Sequence, residues 1–115
     1  MSEPWQLPAT EAARLIAARE LSSVELVASC LARVAEREPE LRAWAHLEAE
    51  AALAQARERD GGLSRGPLHG IPVGVKDIID TADMPTAYGS PIYAGHRPEH
   101  DADCVAWLRL SLIHI

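Results

Sequence analysis

Lys76 is the only lysine in the 115 residues; the other ten of the 11 cations are arginines. It follows the apolar run Ile71-Pro72-Val73-Gly74-Val75 and precedes Asp77. A lysine at the end of a buried strand stands where functional groups of α/β proteins gather. Burial disfavours the charged amine, and a neutral amine can take a proton from a hydroxyl. Lysine can thus stand in for histidine beside a serine nucleophile. The competing reading is a lysine that ends a strand and reaches out to solvent. Alternation along a strand sends Asp77 to the opposite face, where it does a structural job.

Other groupings are weaker. A phosphate-binding loop needs G-x4-G-K-[ST]. Here Gly70 and Gly74 are too close, Val75 separates Gly74 from the lysine, and Asp77 replaces the hydroxyl. A kinase-type lysine strand needs an upstream G-x-G-x-x-G, which Gly61-Gly62-Leu63-Ser64-Arg65-Gly66 does not supply. His96 and His100, with Asp101, Asp103 and Cys104 following, have a zinc-like spacing, but Pro98 breaks the helix that would present them. No metal site is expected. His69 reads as a hydrogen-bonding loop residue. Cys30 and Cys104 show no metal spacing, and no disulfide is expected. Trp5, Trp44 and Trp107 read as core or helix packing.

The elements that must hold Lys76 can be read from periodicity. Thr10 can cap a short helix carrying Ala12, Leu15, Ile16 and Arg19. Ser22 and Glu25 form a capping box, with Leu21 and Leu26 placed as a hydrophobic staple. The helix they start shows Val24, Val27, Leu31 and Val34 on one face and Cys30 on the apolar side, and Pro39 is expected to end it. Residues 41–47 alternate weakly, as a short strand would. Residues 48–60 are Ala-rich and helical by propensity, stopped by Gly61-Gly62. Residues 71–75 read as a buried strand. Residues 81–100 form a long structured loop, a kind of segment that often carries function. Asp101 can cap a last helix with Ala102, Val105, Trp107 and Leu108 as its apolar positions.

Length favours one domain. With 17 acidic residues against 11 basic, the net charge is −6, which argues against nucleic acid or anionic membrane as partner. Met1-Ser2-Glu3-Pro4-Trp5 lacks the features of a signal peptide, and no apolar run approaches the ~18 residues of a membrane span. The expected location is the cytoplasm.

Residues 66–77, Gly-Pro-Leu-His-Gly-Ile-Pro-Val-Gly-Val-Lys-Asp, resemble the lysine motif of the amidase signature family. Residues 86–93 (TAYGSPIY) resemble that family's loop after the lysine, and Asp101-Ala102 with Val105 and Leu108 resemble its next helix. The helix begun by Ser22 and Glu25 fits as well, so the likeness runs over residues 7–109. It implies an α/β fold, a mixed β-sheet flanked by helices, with an all-helical N-terminal segment. It implies amide-bond hydrolysis, or ammonia transfer as a glutamyl-tRNA amidotransferase A subunit. The family's catalytic set is a serine nucleophile, a bridging serine preceded by a cis peptide, and a lysine, with no metal or organic cofactor. Carried over, Lys76 is that lysine. The implied partners are a small-molecule amide and, compatibly, a second copy in a homodimer.

The family places both serines downstream of the lysine in a Gly/Ser-rich segment. Neither Ser90 nor Ser111 stands in such a motif. The expectation is therefore that residues 1–109 form the N-terminal portion of an amidase domain and are inactive alone. Residues 110–115 (LSLIHI) are expected to be an anomalous tail outside the family pattern. A non-enzymatic helical interaction module is the alternative of a different class.

Overall fold

The computed structural model describes residues 3–110 and, as backbone, residues 112–114. Ser111 and Ile115, within the anomalous tail expected from sequence, lie outside the described residues. The elements run α1 (Ala9–Ala17), α2 (Ser23–Leu41), α3 (Ala49–Gly61), β1 (Ile71–Val73), α4 (Asp103–Leu108) and β2 (Leu112–His114), with 3-10 turns at Pro4–Gln6 and Pro91–Tyr93. The two strands pair in parallel, Ile71 opposite Leu112 and Val73 opposite His114. This pair is the sheet seen among the described residues.

The capping box forms as its sequence requires. The Glu25 N–H donates to Ser22 Oγ at 3.0 Å, and the Ser22 N–H donates to Glu25 Oε1 at 3.2 Å. Asp60 adds a second cap from α3. Its carboxylate accepts the N–H groups of Ser23 at 2.7 Å and Val24 at 3.0 Å. Three orphan donors of α2 are thereby satisfied by side chains.

Among the described residues, two small hydrophobic clusters form, with Val105 buried apart from them. Leu21 and Leu26, the expected staple pair, bury with Ala12 and Ile71 beside half-buried Cys30. Val27 packs on Ala52 and Ala56 of α3, flanked by Val24 and Leu31 of the same α2 stripe. Trp5 lies under the Arg33 guanidinium, 4.5 Å from ring centre to Cζ.

Several boundaries differ from the sequence expectation. Pro8 precedes α1, so Thr10 is its second residue rather than its cap, and Arg19 lies beyond the helix at φ 58°. Pro39 does not end α2. It sits in the last turn, and the helix closes at Arg42, whose N–H donates to the Glu38 carbonyl at 2.8 Å from a left-handed conformation. A proline there forfeits one hydrogen bond near an end that is already open. Residues 41–47 are helix end and loop, not strand, because the Glu38 carboxylate captures the N–H groups of Ala43 at 2.6 Å and Trp44 at 2.8 Å. The lysine strand is shorter than expected and stops at Val73. Asp101 does not cap α4; Ala102 does. The Asp101 carboxylate serves instead the Ala82 N–H at 2.7 Å and the Arg109 guanidinium at 2.6 Å. Trp107 is not core: it is 71% exposed.

Candidate active site

The route to Lys76 begins at Gly70. This residue takes φ +82°, and a side chain there would come within 3.2 Å of Ser23 Cβ. The contact is close because buried Ser23 Oγ donates to the Gly70 carbonyl at 2.7 Å. β1 is thereby pinned to the first turn of α2, and Ile71 enters the core. At Gly74 the backbone passes beneath Trp44, and an added Cβ would lie 3.1 Å from Trp44 Cη2. Only glycine allows so close an approach without displacing the ring.

Lys76 stands three residues beyond the strand rather than at its end, and it is exposed. Its carbonyl accepts the Ile79 N–H at 3.0 Å, closing a turn. Trp44, His46, Lys76, Asp77, Thr81 and Thr86 are among the residues lining a cleft of about 410 Å³. Among the described residues, the Lys76 ammonium has no hydrogen-bond or ion-pair partner. Asp77, by contrast, is engaged by the loop. Its Oδ1 accepts the Ala87 N–H at 2.8 Å, and its carbonyl accepts the Tyr88 N–H at 2.9 Å.

The loop of residues 81–100 is internally braced. The hydroxyls of Thr81 and Thr86, both buried, lie 3.2 Å apart, and the Thr86 N–H donates to the His96 carbonyl at 2.8 Å. Tyr88 and Tyr93 meet edge to face at 5.3 Å, with His96 completing an aromatic trio. The Tyr88 hydroxyl donates to Asp80, and this bond to a carboxylate, with some burial, raises the phenol's pKa above its usual value. Arg109 ties the loop to α4 through Asp83 at 2.8 Å and Asp101 at 2.6 Å. Burial pulls the Arg109 pKa down, but its two carboxylate partners outweigh burial and leave it raised.

The remaining sequence candidates fall away from this cleft. His69 accepts the Arg65 N–H at Nδ1, 3.2 Å, and its Nε2 lies 2.9 Å from the Arg59 carbonyl. This pairing assigns the ring proton to Nε2 and a structural role to His69. It lines a separate cavity of about 330 Å³ with Arg19, Ser22 and Asp60. Among the described residues no group of three His, Cys, Asp or Glu side chains could hold a metal ion. Cys30 and Cys104 are free. Ser90 Oγ accepts the Ile92 N–H at 3.3 Å, a turn-capping role. Trp44 lines the cleft and Glu38 holds the Trp44 backbone from outside it, neither of which the sequence reading assigns to the site. Gly74 carried the signal, since a glycine inside an apolar strand marks a close approach by another group.

The sequence matches the Amidase family over residues 25–113. The chain belongs to the Amidase family. It is 47% identical over 109 residues to the glutamyl-tRNA(Gln) amidotransferase A subunit of Chloroflexus aggregans, covering 91% of this chain and 22% of that relative. It is 44% identical over 110 residues to AmiD of Mycobacterium bovis, covering 92% of this chain and 23% of AmiD. The crystal structure of the peptide amidase of Stenotrophomonas maltophilia superimposes with a TM-score of 0.89 at 36% identity, over 99% of this chain and 25% of that enzyme. The neighbours' fold is the α/β fold of the family, and this chain spans under a quarter of the length of the two curated relatives. Among the described residues no helix is long and apolar enough to cross a membrane.

Proposed function

We propose that this chain is the lysine-bearing N-terminal portion, residues 1–109, of a Ser-cisSer-Lys amide hydrolase acting in the cytoplasm on linear, non-peptide amides. Lys76 is its general base. Its side-chain amine takes the proton of the nucleophilic serine through the bridging serine as that oxygen attacks the amide carbon. The same proton then passes to the departing amine as the acyl–enzyme forms. Water repeats the sequence to release the acid. The serines come from outside this chain, in the Gly/Ser-rich segment that the family places downstream, together with oxyanion donors. Residues 110–115 are read as departing in sequence from the family's pattern, while the backbone of residues 112–114 still pairs with β1. The parallel strand pair is read as one corner of the family's mixed sheet, and no metal or organic cofactor takes part.

The observation that carries this reading is the family match that spans Lys76, within the motif Gly-Ile-Pro-Val-Gly-Val-Lys-Asp. Without a nucleophile the 115-residue chain has no route to an acyl–enzyme. Incubation of the purified chain with a simple linear amide is expected to release no ammonia above the rate of buffer. Turnover that disappears in Lys76→Ala would overturn the fragment reading.

A second reading, an amidotransferase A subunit, is favoured by the 47% identity to the Chloroflexus aggregans protein. It predicts that hydrolysis of free amides by a completed domain is weak until partner subunits are added. The free enzyme needs none.

A further inference from the structure

We propose that Trp44, held by Glu38, is a positioning residue for Lys76. The proposal rests on the reading of Lys76 as the base and adds what holds it. The Glu38 carboxylate grips two consecutive backbone N–H groups, Ala43 at 2.6 Å and Trp44 at 2.8 Å. Arg42, just before them, is left-handed at φ 48° with its N–H on the Glu38 carbonyl at 2.8 Å. One residue thus turns the chain at the end of α2 and fixes the backbone of Trp44. The indole lands on Gly74, 3.1 Å from where a Cβ would stand and two residues before Lys76.

The ring is half-buried and stands between two clefts. One, of about 410 Å³, it shares with Lys76; the other, of about 300 Å³, it shares with Val34 and Leu41. With space on both sides, the indole is located by its clamped backbone and by Gly74. β1 ends at Val73, so between the strand and the Asp77 anchor the lysine segment has no ladder to hold it. The Trp44 contact takes the place of that ladder.

The single lysine makes this testable without turnover. Labelling the 115-residue chain with ¹⁵N-lysine gives one backbone amide signal, that of Lys76. The wild-type signal is expected away from the random-coil position, with restricted ps–ns motion by heteronuclear NOE. Trp44→Ala and Gly74→Ala should move it toward random coil and raise that motion while far-UV circular dichroism stays unchanged. Trp44→Phe should restore most of the wild-type position, and Trp107→Ala, at an exposed site, should leave it in place. Glu38→Ala should act like Trp44→Ala. If Trp44→Ala loses its helical signal, Gly74→Ala and Trp44→Phe decide. A wild-type signal already at random coil would overturn the proposal. So would a Trp44→Ala or Gly74→Ala signal on top of wild type, or a Trp107→Ala shift as large as that of Trp44→Ala. An active Lys76→Ala enzyme would overturn the base reading and leave this result untouched.

Discussion

The Asp77 carboxylate accepts the backbone N–H of Ala87 at 2.8 Å, tying the residue beside the lysine to a loop ten positions on. The adjacent Asp77 carbonyl holds the Tyr88 N–H at 2.9 Å, so the loop is anchored twice at one residue. A hydrogen bond to an ionised group contributes about 1.5–3 kcal/mol. Asp77→Ala should destabilise the chain by about 1–2 kcal/mol in urea unfolding, discounted for the half-buried site. It should also speed deuterium exchange at Ala87 and Tyr88. Asp77→Asn keeps an acceptor and should lose less.

Ser23 and Gly70 form the other anchor of the lysine segment. Removing the buried hydroxyl leaves the Gly70 carbonyl without its 2.7 Å donor, so Ser23→Ala should cost about 1–3 kcal/mol. Gly70→Ala should cost at least about 1–2 kcal/mol, from the left-handed backbone together with the 3.2 Å approach to Ser23 Cβ. Gly61, where a Cβ meets nothing within 4 Å, supplies the control: Gly61→Ala should be close to neutral. Urea midpoints at constant slope check all three.

The start of α2 depends on two caps of different origin. Ser22→Ala removes the local one and should cost about 1 kcal/mol. Asp60→Ala removes the acceptor of two N–H groups and the tie between α3 and α2, and should cost more, about 1–3 kcal/mol. Thermal unfolding by circular dichroism should rank Asp60→Ala below Ser22→Ala.

Burial raises the pKa of the Cys30 thiol, whereas Cys104 is exposed. Thiolate is the reacting form. Iodoacetamide at neutral pH should therefore modify Cys104 well before Cys30, as read by peptide mass spectrometry. The same shift has a pH consequence. A folded value above the unfolded one, ~8.5, means the contribution is fully present below that pH. It is lost as pH rises through the folded value, so Cys30→Ala should flatten the alkaline loss of stability.

Local signals were legible and long-range ones were not. The Ser22 and Glu25 cap could be read because both partners lie within one turn. So could the α2 stripe of Val24, Val27 and Leu31, whose spacing alone puts them on one face. The segment 41–47 was misread as strand because its alternation says nothing of Glu38 reaching forward to Ala43 and Trp44. Asp101 looked like a helix cap because composition cannot show Ala82 and Arg109 competing for its carboxylate. Of the site, the motif around Lys76 was legible, since glycines at close approaches leave a fixed pattern. The exposure of Lys76, and Trp44 as the group above Gly74, were set by tertiary contacts.

The proposed role of Lys76 as the base of an amide hydrolase can be tested in an active enzyme. A chimera in which this chain replaces the matching quarter of the Stenotrophomonas maltophilia peptide amidase tests it most directly. Hydrolysis of that enzyme's amide substrate is measured with Lys76 and with Lys76→Ala, with circular dichroism confirming equal folding. The substitution is expected to lower kcat by at least about 10²-fold, the lower range for loss of a general base. An alanine variant that keeps its activity to within about tenfold would contradict it.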